Sequence, residues 1–277
     1  MSLPAPLVSA QWLEANRSNP KLRIVDCRYS LSDPLAGRLA YREGHLPGAM
    51  FLDLETDLSG PMQPDRQGGR HPLPTPEALA ATLGEAGIDN VSWVIAYDET
   101  GMTAPRLWWL LRWLGHENVA VLDGGIKGWV AAGGALETLE VEYAPAVYVP
   151  SPQTDWVLSA EEVLRRRPGS TLVDSRAPER YRGEVEPIDP VAGHIPGAVN
   201  RNWADGLEGG RLKSAEAQGE RFAGLGDEVI LYCGSGVSAA ANALAMEVAG
   251  LPKPKLYAGS WSDWVSDPTR PVAKGEE

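Results

Sequence analysis

Val229-Ile230-Leu231-Tyr232-Cys233-Gly234-Ser235-Gly236-Val237-Ser238-Ala239-Ala240 passes from a short apolar run, through a corner of glycine and serine, into an alanine-rich stretch. That stretch continues to Val248 and stops at Gly250-Leu251-Pro252. The apolar run suits a strand buried on both faces of a parallel sheet, and the alanine-rich stretch suits a helix. Gly234 and Gly236 can adopt positive φ without steric cost, so successive N–H groups can turn toward one point. The following helix adds the positive end of its dipole. Cys233, one of only two cysteines in the chain, stands at the head of this anion cradle. Thiols in such settings ionise more readily than free ones, so the block predicts a reactive thiolate, or a sulfur species of equal charge. Cys27 lies inside an apolar run with no such loop and is read as a structural residue.

The chain is written twice. Ile24-Val25-Asp26-Cys27-Arg28 returns as Leu172-Val173-Asp174-Ser175-Arg176, and Gly44-His45-Leu46-Pro47-Gly48-Ala49 as Gly193-His194-Ile195-Pro196-Gly197-Ala198. Val94-Ile95-Ala96-Tyr97-Asp98 returns as Val229-Ile230-Leu231-Tyr232-Cys233, and Trp129 after Gly124-Gly125 as Trp264 after Gly259-Ser260. The early blocks recur 148 or 149 residues on and the later ones 135, so the first copy carries a surplus, placed around 61–76. Two copies at this period argue duplicated domains rather than a solenoid. One domain is expected over 1–140 and the other over 156–277, with a proline-rich linker at about 141–155.

Apolar runs at 22–26, 93–97, 119–122, 171–174, 228–232 and 255–257 alternate with helical stretches. Ser159-x-x-Glu162 is a capping-box pattern, and Thr75-Pro76 puts proline at a first helical position. The alternation predicts an α/β class: in each half a doubly wound, mostly parallel sheet with helices on both faces. Ligands bind beyond the carboxyl ends of such strands, where Cys233 stands.

At 277 residues the length also favours two domains. A net charge of −12 repels phosphate backbones and anionic membrane surfaces, so neither nucleic acid nor membrane is an expected partner. The start shows no basic region followed by a long apolar one, and no stretch approaches the roughly 18 apolar residues of a membrane span. Two cysteines make neither a disulfide framework nor a zinc site, so a cytoplasmic protein with reduced thiols, no metal and no organic cofactor is expected.

The paired VD-x-R strand ends, the paired G-H-[LI]-P-G-A segments and the Cys233–Ala239 loop, in this order and twice over, resemble the tandem-domain rhodanese-like sulfurtransferases along nearly the whole chain. The resemblance implies that the second domain is catalytic. The first, with Asp98 in the cysteine's place, is silent. It implies a Cys233 persulfide, loaded from a small-molecule donor and unloaded by cyanide, a thiol or thioredoxin, with inward amides stabilising the anion.

The loop CGSGVSA is similar to the CGSGVTA of 3-mercaptopyruvate sulfurtransferases, with Ser238 for threonine, and lacks the basic residues of thiosulfate-preferring members. Mercaptopyruvate is therefore the favoured donor and thiosulfate the alternative. The same likeness implies a relay of Ser235, His71 and a carboxylate, Glu55 or alternatively Asp53, and places Gly234, Gly236, Val237 and Ser238 around the substrate. Arg180 matches a family arginine that grips the substrate carboxylate. The family's second arginine is missing: the chain reads Glu186-Pro187-Ile188, and Arg182 is the nearest substitute. Arg28, Arg176, His45 and His194 are read as structural.

Two rivals are weighed. A cysteine phosphatase needs an arginine six positions after the cysteine, where Ala239 stands. A sulfur carrier without turnover would need the cradle but not the relay.

Overall fold

The computed structural model describes residue 3 and residues 6–276, so part of the segment read against a leader lies outside the described residues. The chain divides into two compact units. Unit 1 comprises the residues up to 59, 74–153 and 208–212, and unit 2 comprises 60–73, 154–207 and 213 onward. Residues 60–73, where the repeat places its surplus, thus cluster with the second copy, and residues 208–212 with the first.

In unit 1 the elements run β1 (Leu7–Val8), α1 (Ala10–Asn16), β2 (Leu22–Asp26), α2 (Ala36–Glu43), β3 (Ala49–Phe51), α3 (Pro76–Glu85), β4 (Trp93–Tyr97), α4 (Ala104–Trp113), β5 (Val119–Leu122) and α5 (Gly125–Ala131). The sheet order is β1-β5-β4-β2-β3, all parallel. The chain winds outward from β2 to β3, then returns to β4 and winds the other way. With right-handed crossovers, that reversal puts helices on both faces. Thr75 caps α3 by accepting from Ala78 N, with Pro76 in its first turn.

Unit 2 contains α6 (Ala160–Leu164), β6 (Thr171–Asp174), α7 (Pro178–Tyr181) and β7 (Ala198–Asn200). The short hairpin strands β8 (Leu207–Glu208) and β9 (Arg211–Leu212) follow in the chain. Unit 2 continues with α8 (Ala215–Arg221), β10 (Val229–Tyr232), α9 (Ser238–Val248), β11 (Lys255–Leu256) and α10 (Ser260–Trp264). Its order, β11-β10-β6-β7, is parallel and reproduces the order of β5, β4, β2 and β3. The capping box at Ser159 and Glu162 is formed in both directions. In this unit the winding reverses between β6 and β10, so the loop after β10, which begins with Cys233, opens at the switch point.

The repeated motifs build matching braces. Arg28 forks onto Asp26 and Arg176 onto Asp174, with Nη2–Oδ2 distances of 2.6 and 2.5 Å. His45 and His194 are buried, each 3.9 Å from the ring of a tyrosine (Tyr41, Tyr181) whose carbonyl its Nδ1 meets. These four residues hold strand ends and turns, as the sequence suggests.

A buried group in unit 1 ties stability to pH. His116 is 2% exposed, its Nε2–H donates to Ser92 O at 3.0 Å, and burial holds the imidazole below its ordinary pKa. The unfolded chain takes up this proton near pH ~6.5, the folded one only at lower pH, so this contribution is complete above that value and is lost as pH falls through it. Melting temperature against pH is expected to fall more steeply between about 7 and 5 in the native chain than in His116→Asn; equal slopes would refute this.

Candidate active site

The corner at Cys233 forms because β10 ends on Tyr232, while α9 cannot begin until the chain has turned through Gly236, at φ +77°. A Cβ on Gly236 would stand 2.4 Å from Ala258 O, so only glycine allows this approach. The turn aims Gly236 N–H at Cys233 Sγ, 3.1 Å away. Cys233 is 2% exposed. Its N–H donates to Ser260 Oγ at 3.1 Å, and its carbonyl accepts from Trp261 N at 3.0 Å. Val237 is the buried N-cap of α9, and Ser238 is the helix's first residue. Ser260, φ +56°, is a non-glycine residue in the left-handed region, where its copy in unit 1 is Gly125, φ +55°. Backbone strain of this kind collects at functional sites. Nothing in the sequence beyond its place in the repeat points to Ser260.

Unit 1 supplies an internal control for the cradle. At Asp98, the counterpart of Cys233, the loop amides close on the carboxylate: Thr100 N at 3.0 Å and Gly101 N at 2.6 Å on Oδ1, Thr103 N at 2.6 Å and Ala104 N at 2.8 Å on Oδ2. Gly101 and Gly236 are equivalent positions, so the same amide that holds a negative oxygen in unit 1 faces the sulfur in unit 2. This loop is built to hold an anion.

Cys27 differs. It is 2% exposed, and burial, then Asp26, Asp98 and Asp57, push its thiol well above the ordinary range. A thiol held in its protonated form is a poor nucleophile.

His71 and Ser235 come together in unit 2. Nδ1 lies 2.8 Å from Ser235 Oγ, with the two residues 5% and 6% exposed. Asp53 and Glu55 belong to unit 1. Asp53 Oδ1 accepts from Glu55 N at 2.8 Å and Thr56 N at 3.2 Å, so this carboxylate is engaged in a local turn. Glu55 Oε1 accepts from Tyr29 OH at 2.7 Å.

Around Gly234 stands a cluster of charges. A Cβ on Gly234 would lie 3.0 Å from Arg70 Nη2 and 3.6 Å from both Nη atoms of Arg180. Arg180 forks onto Glu186 at 2.7 and 3.2 Å and reaches Asp189 at 3.5 Å, while Arg70 Nη1 bonds Asp189 Oδ1. Burial pushes the Asp189 carboxyl up against the pull of Arg70. Burial acts on Glu186 too, but the Arg180 hydrogen bond and charge override it and hold that carboxyl low. Arg70 Nε has no partner among the described residues. Arg182, the nearest substitute by sequence, is instead forked onto Glu184 at 2.8 and 3.0 Å. The second guanidinium at the loop is therefore that of Arg70, which the sequence reading did not assign. The only clue to it was its place beside His71.

The family model for the rhodanese-like domain matches residues 9–132 and 159–267. The chain belongs to the rhodanese-like family. It is 47% identical over 284 residues to a protein named "Probable 3-mercaptopyruvate sulfurtransferase" from Pseudomonas aeruginosa, covering 98% of this chain and 99% of that one. It is 33% identical to mouse thiosulfate sulfurtransferase, covering 98% and 96%. Among solved structures it matches SseA, a 3-mercaptopyruvate sulfotransferase of Escherichia coli with the rhodanese fold. The TM-score is 0.82 at 33% identity, with 93% of this chain and 99% of that one covered. Both rhodanese-like segments include the equivalent loops, Asp98 in the first and Cys233 in the second.

Proposed function

We propose that this sulfurtransferase takes sulfur from 3-mercaptopyruvate onto Cys233 and passes it to a small thiol, thioredoxin or cyanide. The observation that carries the reading is the cysteine loop with guanidinium groups beside Gly234 and the Ser235–His71 pair one residue further on. Two guanidinium groups gathered at one point of the loop suit a carboxylate, and Arg70 takes the part that Ile188 leaves vacant.

The thiolate of Cys233 attacks the donor sulfur, forming an S–S bond as the C–S bond breaks. The electron pair leaves with carbon as pyruvate enolate. The proton of the donor thiol ends on that carbon, giving pyruvate and a Cys233 persulfide anion. Ser235 and His71 handle this proton. Gly236 N–H and the start of α9 stabilise the sulfur anion. Cyanide then takes the outer sulfur as thiocyanate and restores the thiolate. The carboxylate that orients His71 is assigned to Glu55 by resemblance, with Asp53 as the alternative. Gly234, Val237 and Ser238 line the substrate's side of the loop.

Thiosulfate is the second reading, because paired guanidinium groups also suit a dianion. The net charge of −12 repels phosphate backbones and anionic lipid, which favours an enzyme working on small molecules, and the cytoplasm as its site of action is part of the proposal.

The test compares thiocyanate formation from each donor. Mercaptopyruvate should have the higher kcat/KM; a tenfold advantage for thiosulfate would reverse the donor choice. Arg70→Ala and Arg180→Ala should each cost about 10–10² in kcat/KM for mercaptopyruvate, carried mainly by KM. Unchanged KM in both would remove the carboxylate clamp.

A further inference from the structure

The segment Gly60–Leu73 carries both Arg70 and His71 into unit 2, yet no helix or strand lies within it. Its fixed geometry must come from what it touches. Three contacts converge on Gly259 and the first turn of α10. Gly68 N–H donates to Asp263 Oδ1 at 2.9 Å, and Arg70 N–H donates to Ser262 Oγ at 3.1 Å. Gly69, φ +85°, lies so close that a Cβ on it would meet Gly259 O at 2.4 Å and Ser262 Oγ at 2.9 Å. Beyond these contacts, Arg70 reaches Asp189 and His71 reaches Ser235.

The other side of the latch is held as firmly. Ser262 N–H donates to Gly234 O at 2.9 Å, so one residue bonds both the cysteine loop and the backbone of Arg70. Asp263 Oδ2 accepts from Tyr257 OH at 2.5 Å, which fixes the carboxylate's orientation. In the silent copy the equivalents of Ser262 and Asp263 are Lys127 and Gly128, which carry neither hydroxyl nor carboxylate.

We infer that Gly259–Asp263 is a latch that seats Gly60–Leu73, and that Ser262 and Asp263 are positioning residues for Arg70 and His71. The inference rests on the proposed function only in the roles it gives those two side chains. Misplacement of such groups by about 1 Å can cost on the order of 10² in rate. The latch explains how an irregular segment delivers two functional side chains in register with the cysteine loop.

Two variants of the full-length chain test it. Gly69→Ala puts a methyl against the Gly259 carbonyl and lifts the segment without altering any reacting side chain. Ser262→Ala removes one hydroxyl and is mild enough to fold. The chain has four histidines, so the ring nitrogens of His71 can be followed by NMR beside His45, His116 and His194. In both variants the His71 signals should move while the other three stay. kcat/KM should fall about 10²-fold for Gly69→Ala and about fivefold for Ser262→Ala. Cys233 should still be alkylated by iodoacetamide at least as fast as in the native chain. Unmoved His71 signals in both variants, or alkylation slowed in parallel with activity, would overturn the latch. A native chain without sulfur transfer would refute the proposed function instead, and the NMR result would still decide the latch.

Discussion

Cys233→Ser is expected to abolish sulfur transfer from either donor while leaving the melting temperature nearly unchanged. A serine oxygen cannot carry sulfane sulfur, so no alternative route through the same position exists. The fold should survive because the two backbone bonds of residue 233, N–H to Ser260 Oγ and carbonyl from Trp261 N, are kept, and a serine oxygen can accept from Gly236 N–H in place of the sulfur. Cys27→Ser is the matched control and should keep activity within about twofold, since its buried thiol is held protonated and Ser175 fills the same place in the second copy. Thiocyanate formation and thermal melts on both variants check this. Activity surviving in Cys233→Ser, or lost in Cys27→Ser alone, would move the reaction to the wrong cysteine.

Gly236→Ala should be nearly as damaging, although it changes no reacting group. Its Cβ would collide with Ala258 O at 2.4 Å, and its φ of +77° is costly for alanine. The turn must open, and the N–H that faces Cys233 Sγ at 3.1 Å moves away. Loss of one such preorganised donor costs about 10²–10³ in kcat in comparable anion holes. The loss should appear in kcat for both donors, because in the proposed mechanism the amide stabilises the persulfide whatever delivered the sulfur. A variant that binds donor less tightly at unchanged kcat would show that the amide serves binding rather than chemistry.

The fold was legible where burial is continuous. Runs such as Trp93–Tyr97 and Val229–Tyr232 are apolar because they are covered on both faces, and their repetition announced two similar sheets. The strands β3 and β7, three residues each, are too short to carry a period and were not anticipated. The cysteine loop was legible because Gly236, at φ +77°, is demanded by backbone geometry; Gly234 is not in the left-handed region and instead leaves room for the Arg70 guanidinium. The Ser235–His71 pair was reached through resemblance, and the two residues, 164 positions apart, do lie together. Arg70 and the latch were not legible. Arg70 meets its carboxylate partner 119 residues away, and Gly60–Leu73 is anchored through main-chain N–H groups, which every residue but proline has. The repeat likewise gave no sign that this segment clusters with unit 2.

The most direct test of the account is the mass of the chain after exposure to mercaptopyruvate without an acceptor, followed by peptide mapping. A gain of one sulfur atom is expected, on the peptide carrying Cys233, removed by cyanide with stoichiometric thiocyanate. No gain from either mercaptopyruvate or thiosulfate, or a gain on the peptide carrying Cys27, would contradict it.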